Sequence, residues 1–127
     1  MEILRQPEIV EGYHFDMIKE HEEVGENDIS VGLTAIDVTE QPDLANEDHS
    51  VLGLHVQFKI VMEKFVLSGS VRQLVSVVDK KVEKAEDCTK EELDELIRPL
   101  FSIIERLTYE VTEIALDQPG LQLNFNS

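Results

Sequence analysis

The chain has 127 residues and a formal net charge of −16, from 27 acidic and 11 basic side chains. This length fits one domain, residues 1–127, built around one hydrophobic core. So acidic a surface repels the phosphates of nucleic acids and of anionic membranes, which argues against both as partners. The charge is compatible with a basic polypeptide partner, and equally with no role beyond solubility.

Cysteine content and hydropathy argue against a disulfide-bonded, zinc-binding, secreted or membrane protein. Cys88 is the only cysteine, so no disulfide can form within the chain. No CxxC or CxxH spacing supports a zinc site. The segment 1–11 lacks the basic start and apolar run of a secretory signal, and no apolar stretch approaches the roughly 20 residues of a membrane helix. We therefore predict a cytoplasmic protein without a membrane anchor, a metal or a cofactor.

Alternating apolar residues predict two strands in the first third of the chain. The first covers Ile9–Met17 and places its aromatic residues on one face. The second covers 28–40, and its alternation breaks after Ala35, which indicates either a bulge there or a strand buried on both faces. The polar segments 19–28 and 41–50 are predicted connections.

The segment 51–79 predicts one long antiparallel hairpin with an apolar and a polar face. A shift of one residue would place apolar side chains opposite polar ones, so the register follows from side-chain parity. We favour a four-residue loop around Glu63 and Lys64, because neither residue readily takes the positive φ of a two-residue turn. The predicted pairs are Ile60 with Leu67, Phe58 with Gly69, Val56 with Val71, Lys59 with Ser68, Gln57 with Ser70, and His55 with Arg72.

The last third of the chain predicts helix and then an extended tail. The charged segment 79–87 is a connection, and Thr89 with Glu92 fits a capping box at a helix start. Apolar residues follow at helical spacing as far as Leu116. Because proline disrupts a helix interior, we predict that Pro99 ends a short first helix and opens a long second one.

The order of four strands, helices and tail resembles the SecB export-chaperone family. Three local patterns carry the resemblance: the long strand 65–77, the helix start Leu-Ile-Arg-Pro-Leu at 96–100, and the tail Gln-Pro-Gly-Leu-Gln-Leu-Asn-Phe at 118–125. The resemblance covers 51–125 and is nearest to small uncharacterised bacterial SecB-like proteins. The chain departs from SecB proper in its final helix, in the acidic first-strand motif that faces the motor protein, and in the second proline of the tail.

The resemblance implies an α+β fold, in which a four-stranded antiparallel sheet is followed by a short and a long C-terminal helix packed on one face. It also implies homodimers or homotetramers that assemble through the helices. Three helix residues lie partly off the main apolar stripe and either form this interface or pack against the tail. They are Phe101, Tyr109 and Leu116.

The resemblance further implies an apolar groove that binds unfolded or extended polypeptide. Our candidates for its lining are Leu54, Phe58, Phe65, Leu67, Leu121, Leu123 and Phe125. These residues could instead form only the core and a subunit interface, which is the usual place of apolar strand faces.

Residues with catalytic or metal-binding chemistry are scattered. The chain has four histidines without a His-x₃-His pair: His14, His21, His49 and His55. A metal held by His21 and its acidic neighbours is less plausible than a solvated acidic loop. Cys88 precedes a helix, whose dipole could make the thiol reactive, although a half-buried small residue is the simpler interpretation. No nucleophile elbow, Walker or GxGxxG motif occurs.

Three functional hypotheses follow. The first is a non-enzymatic SecB-like oligomer that binds unfolded or extended polypeptide without nucleotide. The second is an adaptor or regulator that binds one specific folded protein through its acidic surface. The third is a small-molecule enzyme that uses His55 and neighbouring acids.

Overall fold

A computed structural model describes residues 2–20, 22–36 and 50–123. Within them the chain forms five strands and one long helix. The elements are β1 (Ile3–Arg5), β2 (Ile9–Met17), β3 (Asp28–Ile36), β4 (Ser50–Val61), β5 (Phe65–Val77), a 3₁₀ turn (Ala85–Asp87) and α1 (Lys90–Leu116). The predicted α+β class with an antiparallel sheet and a C-terminal helix is confirmed.

The sheet is antiparallel throughout, and β5 lies inside it. On one side of β5 follow β4 and then β3, which forms an edge. On the other side, β2 pairs with the first part of β5 and β1 pairs with its last part, so the two lie end to end. The interruption between them contains Pro7, which has no N–H to donate to a ladder.

The prediction of four strands is therefore wrong, because the sheet has five. It is nevertheless four strands wide, since β1 and β2 share one position beside β5. β1 was not predicted, because three residues are too few to show a periodicity. The predicted register of the β4–β5 hairpin is confirmed at all six pairs. The chain reverses over residues 62–65, where the N–H of Met62 donates to the carbonyl of Phe65 at 2.9 Å.

The predicted irregularity of the second strand is wrong within the described residues. β3 pairs with β4 without a shift from Asp28 to Ile36, and Ile36 is 41% exposed. On the opposite face of the strand, Ile29 and Val31 are 44% and 48% exposed, so β3 is not buried on both faces. Residues 37–40 of the predicted strand lie outside the described residues. A bulge occurs instead in β2, between Val10 and Gly12.

The core lies between α1 and the helix-facing side of β4 and β5. Leu96, Leu100 and Ile104 of the helix are fully buried there. The strands contribute Leu52, Leu54, Val56, Phe58, Ile60, Phe65, Leu67, Val71, Val75 and Val77. Burial of each of these large side chains contributes about 1.5–3 kcal/mol, so this layer dominates the folding free energy.

The predicted division at Pro99 is wrong, because α1 continues through this residue. Pro99 has no N–H for the carbonyl of Glu95, four residues earlier. Arg5 supplies a replacement, since its Nη2 donates to that carbonyl oxygen at 2.6 Å. The helix therefore continues without leaving this acceptor unsatisfied.

The predicted capping box at the start of α1 is confirmed. The N–H of Glu92 donates to Oγ1 of Thr89 at 3.1 Å, and the N–H of Thr89 donates to Oε1 of Glu92 at 2.8 Å. Nζ of Lys80 donates to the same carboxylate oxygen at 2.7 Å. This last hydrogen bond, followed by that from Thr89, lowers the pKa of Glu92 below its ordinary value.

Glu92→Gln is expected to destabilise the protein at pH 7 and to matter less in acid. A lowered folded-state pKa means that the carboxylate stabilises the fold above its unfolded pKa, and that this contribution is lost as the pH falls through the folded pKa. Urea unfolding at pH 7 and at about pH 3 measures the difference from wild type. Glu91→Gln is the control with the same charge change. A difference that stays constant over this range would contradict the prediction.

Candidate functional site

The helix-facing side of edge strand β3 is apolar and partly uncovered. Ile29 and Val31 are 44% and 48% exposed, and Leu33 of the same strand is half-buried against the core. Their partners on β4 include Phe58 and Val56, which are buried. Because α1 packs mainly over β4 and β5, the apolar layer extends past the core to the sheet edge. We call Ile29, Val31 and Leu33 the β3 margin.

The predicted groove residues lie mostly within the core. Leu54, Phe58, Phe65 and Leu67 are buried between sheet and helix, with exposures of 0–9%. Leu121 and Leu123 are half-buried and pack against the same cluster. Phe125 lies outside the described residues. The structure thus brings six of the seven together, and their contact with a polypeptide stays a prediction.

The C-terminal tail is held against the helix after a left-handed residue, Asp117, ends α1. The N–H of Leu121 donates to Oγ1 of Thr112 at 2.8 Å, and this hydroxyl donates to the carbonyl of Thr108 at 2.6 Å. Gly120 rests on Tyr109, where a Cβ would collide with the carbonyl oxygen and lie 2.7 Å from the ring. The tail is therefore held by the hydrogen bond from Leu121 and by a close backbone approach at Gly120, where a larger residue would not fit.

Gly120→Ala is expected to release the tail and to lower the free energy of unfolding by about 1–2 kcal/mol, a typical cost of overpacking. The cost is limited because the tail can leave while the helix stays folded. Hydrogen exchange at the amide of Leu121 should become faster, and Gln122→Ala, at an exposed tail position, is the control. An unchanged exchange rate would contradict the contact.

The predicted interface residues of the helix have contacts within the chain. Phe101 and Leu116 are half-buried against the core, and Tyr109 packs on the tail. The structure therefore supports packing of these residues within the chain. Their role in a subunit interface stays a prediction. Ile114, which is 81% exposed, is the most exposed large apolar residue of the helix.

Tyr13 joins β2 to the helix. Its hydroxyl is 2.8 Å from Oγ1 of the buried Thr108, and its ring lies 5.7 Å from that of Phe58. Burial raises the pKa of Tyr13, against the smaller opposite effect of this hydrogen bond. The phenol therefore stays neutral and satisfies a buried hydroxyl.

The sheet face opposite the helix carries a second apolar patch, which we call the open face. Its exposed members are Leu4, Ile9, Ile36 and Leu74. A shallow depression of about 540 Å³ lies among the last three. The exposure of Leu74 was not predicted, because the apolar residues on both faces after Gln73 indicate a strand end that is covered on both sides. Leu4 lies in β1, which the sequence did not predict.

His55, which the enzymatic hypothesis singled out, lies at this depression. Its Nε2 is 3.4 Å from one carboxylate oxygen of Glu11, and Nε of Arg72 is 3.7 Å from the other. All three side chains are more than one third exposed. This is the geometry of a surface ion-pair cluster, which contributes little energy, and it holds no desolvated acid or base.

Other reactive groups give no further site in the described part of the chain. No group of three or more histidine, cysteine or acidic residues there could hold a metal. His21 and His49 lie outside the described residues. Burial and the neighbouring Glu92 raise the pKa of Cys88, which favours the half-buried thiol over the reactive one. No helix among the described residues is long and apolar enough to cross a membrane.

The guanidinium of Arg5 is bound at a site that the sequence did not reveal. Nη1 donates to Oε1 of Gln73 at 3.1 Å and to the carbonyl of Leu96 at 3.0 Å. Nη2 donates to the carbonyl of Glu95. We call these three acceptors the guanidinium site. Arg5 and these acceptors are far apart in sequence, and two are backbone oxygens, so no side-chain pattern could have indicated them.

The antiparallel sheet with one long C-terminal helix makes this an α+β protein, and its fold is similar to that of a SecB-like chaperone. A SecB-like chaperone of Mycobacterium tuberculosis, solved in complex with a ChAD peptide from the HigA1 antitoxin, has a similar structure. The TM-score is 0.55 at 16% identity, over 98% of this chain and 88% of that one. The resemblance to SecB-like proteins predicted from the sequence is confirmed at the level of the fold.

The chain belongs to a family of proteins of unknown function, DUF1149, whose model matches residues 1–125. A protein of unknown function from Streptococcus agalactiae is similar in sequence and structure. It is 32% identical, with a TM-score of 0.87 over 98% of both chains. No curated protein matches the sequence.

Proposed function

We propose that this protein is a non-enzymatic, SecB-like polypeptide-binding protein that acts as a holdase chaperone for unfolded or extended chains. The β3 margin carries this proposal, because it is an exposed continuation of the core on a chain with a net charge of −16. Apolar surface binds apolar segments of a client without nucleotide. The net negative charge of the chain opposes aggregation of its own copies through this surface. The peptide bound to the M. tuberculosis relative supports the same class of function.

The binding surface in this proposal begins at Ile29 and Val31 and continues inward to the predicted Leu54 and Phe58. Leu33 pairs with Leu54, and Ile29 pairs with Phe58, so the exposed and buried parts form one apolar layer. Leu121 and Leu123 cover part of the same core cluster. Displacement of the tail would expose more of this core cluster, which explains how the predicted residues Phe65 and Leu67 could also contact a client.

Light scattering of an aggregating client tests this proposal. Stoichiometric wild-type protein is expected to suppress aggregation, and Ile29→Ser/Val31→Ser is expected to lose most of this effect. The matched control is Ile36→Ser/Leu74→Ser, which removes similarly exposed residues from the open face. Failure of the wild type to suppress aggregation would overturn the proposal, and loss only in the control would place the client on the open face instead.

Assembly is a separate part of the proposal. We expect a homodimer or homotetramer, with Phe101, Tyr109 and Leu116 of α1 as candidate interface residues. Sedimentation at micromolar concentration should show multiples of the 14.5 kDa chain. A single species of that mass would exclude stable assembly.

The alternative is an adaptor or regulator that binds one specific protein, and the net charge of −16 favours a basic partner surface. One stoichiometric partner bound in a salt-sensitive manner, together with no effect on client aggregation, would favour this alternative. Suppression of aggregation for unrelated clients would favour the chaperone.

A further inference from the structure

Strand β1 is short, and its pairing with β5 uses main-chain hydrogen bonds that do not depend on its side chains. It covers Ile3–Arg5 and pairs with the end of β5. Ile3 packs on the core cluster, whereas Leu4 is 57% exposed. At its two ends, the N–H of Val78 donates to the carbonyl of Glu2 at 3.1 Å and the N–H of Gln6 donates to the carbonyl of Leu74 at 3.0 Å. Any extended segment can make such main-chain bonds.

The guanidinium site makes the position of β1 beside β5 selective for an arginine side chain. Gln73 is 2% exposed, and its Nε2 donates to the carbonyl of Gln6 at 2.7 Å, which turns its Oε1 toward Arg5. The carboxylates of Glu95 and Glu8 attract the cation, although burial outweighs them and lowers the pKa of Arg5. A guanidinium spreads its N–H donors over a planar group, so it can reach all three acceptors. The ammonium of a lysine is one compact group and cannot.

We propose that the place held by β1 is a strand-binding site for an extended segment of a polypeptide partner, with an aliphatic residue followed two positions later by arginine. In this view β1 is the internal occupant of the site. The aliphatic side chain would replace Ile3 and the guanidinium would replace that of Arg5. The inference rests on the proposed function and names the sequence that a bound polypeptide must contain.

The chain around β1 allows exchange with such a segment. Residues 6–8 follow β1 without being part of a strand and contain Pro7, so β1 can leave β5 while β2 stays paired. Addition of a strand to a sheet edge uses main-chain bonds for affinity and pockets at alternate positions for specificity. The net charge of −16 favours an arginine-containing ligand over an acidic one.

The experiment uses a fluorescein-labelled peptide Glu-Ile-Leu-Arg-Gln, which has the sequence of residues 2–6, and a matched peptide with lysine in place of arginine. Full-length Arg5→Ala has an empty guanidinium site, and fluorescence anisotropy should show saturable binding of the arginine peptide. We expect affinity for the lysine peptide to be about tenfold lower, the equivalent of one charge-assisted hydrogen bond. Wild type should bind the arginine peptide more weakly than the variant, because β1 competes.

A second variant tests whether the peptide occupies this site. Arg5→Ala/Pro99→Ala gains an N–H at residue 99 that can donate to the carbonyl of Glu95, so it should bind the arginine peptide several-fold more weakly than Arg5→Ala. Equal affinity for both peptides, or equal affinity of all proteins for the arginine peptide, would overturn the inference. If Arg5→Ala does not fold, NMR of the wild type decides: arginine peptide in excess should shift the amides of Gln6 and Val78, and no shift would overturn it.

The aggregation assay separates this inference from the proposed function. Suppression of client aggregation without peptide discrimination would overturn only the strand-binding site. Peptide discrimination without suppression would support the site and overturn only the general chaperone.

Discussion

Arg5→Met is expected to lower the free energy of unfolding by about 2–3 kcal/mol, the usual range for hydrogen bonds to a charged group. Methionine keeps the apolar stem and removes three donated hydrogen bonds, to Gln73, Leu96 and Glu95. The carbonyl of Glu95 then has neither Arg5 nor an N–H from Pro99. Urea unfolding measures the loss, and Arg5→Lys is the control that retains the charge. Lysine should recover only a small part, because one ammonium cannot reach acceptors in three directions.

Pro99→Ala should reduce the cost of Arg5→Met by about 1 kcal/mol, a typical coupling energy for residues that share a partner. Alanine restores an N–H that can donate to the carbonyl of Glu95, so this acceptor depends less on Arg5. A cycle of wild type, two single variants and the double variant isolates the coupling. Strict additivity would show that Arg5 does not compensate for the proline.

This compensation explains why the sequence predicted the helix correctly except at Pro99. The capping residues Thr89 and Glu92 are three positions apart, so their pattern is local and could be recognised. The donor that permits Pro99 inside the helix lies in β1, 90 residues away from Glu95 along the chain. Local propensity is a weak guide where a distant side chain replaces the missing hydrogen bond.

The sheet shows the same contrast between local and distant information. The β4–β5 register was predictable, because two long alternating strands joined by a tight connection have one parity that buries both apolar faces. β1 was not predictable, because Ile3–Arg5 is too short to show a periodicity. It forms a strand because β5 continues past its pairing with β2 and offers Val75–Val77 as partners.

The candidate site was predicted in part. Parity assigned Leu54, Phe58, Phe65 and Leu67 to one face, and the structure brings them together on it. Their burial depends on how far α1 reaches across the sheet, which the sequence does not specify. The same face ends in the exposed Ile29 and Val31 because β3 is the edge strand. Periodicity indicates the face of a strand, whereas strand order decides which part of that face meets solvent.

This edge position connects the fold to the proposed function. A layer that is buried under the helix and exposed at β3 gives a stable core and an accessible apolar surface within one sheet. Exposed apolar patches on a soluble protein often mark an interaction site. Because α1 packs mainly over β4 and β5, part of β3 stays exposed, and this is the structural feature on which client binding would depend.

Gly69→Ala is expected to be the most destabilising change in the sheet, with a loss of about 3 kcal/mol or more, at the upper end of overpacking costs. Gly69 lies in β5 opposite Tyr13 of β2 and Phe58 of β4. A Cβ there would collide with the carbonyl oxygen of Gly12 and lie 3.1 Å from Cζ of Phe58. Neither the β2 backbone nor a buried ring can move aside without disturbing the ladder or the core.

Gly53→Ala provides the matched control, because Gly53 also lies inside a long strand of the same hairpin. A Cβ at this position would have its nearest contacts at 3.6 Å, to Cδ1 of Ile36, and at 3.8 Å, to the carbonyl oxygen of Thr34. These are ordinary van der Waals distances, and alanine loses less conformational entropy than glycine on folding, so Gly53→Ala should be neutral or stabilising by about 0.5 kcal/mol. Urea unfolding of both variants measures the contrast. Equal stability of the two would show that β2 does not approach β5 closely at Gly12.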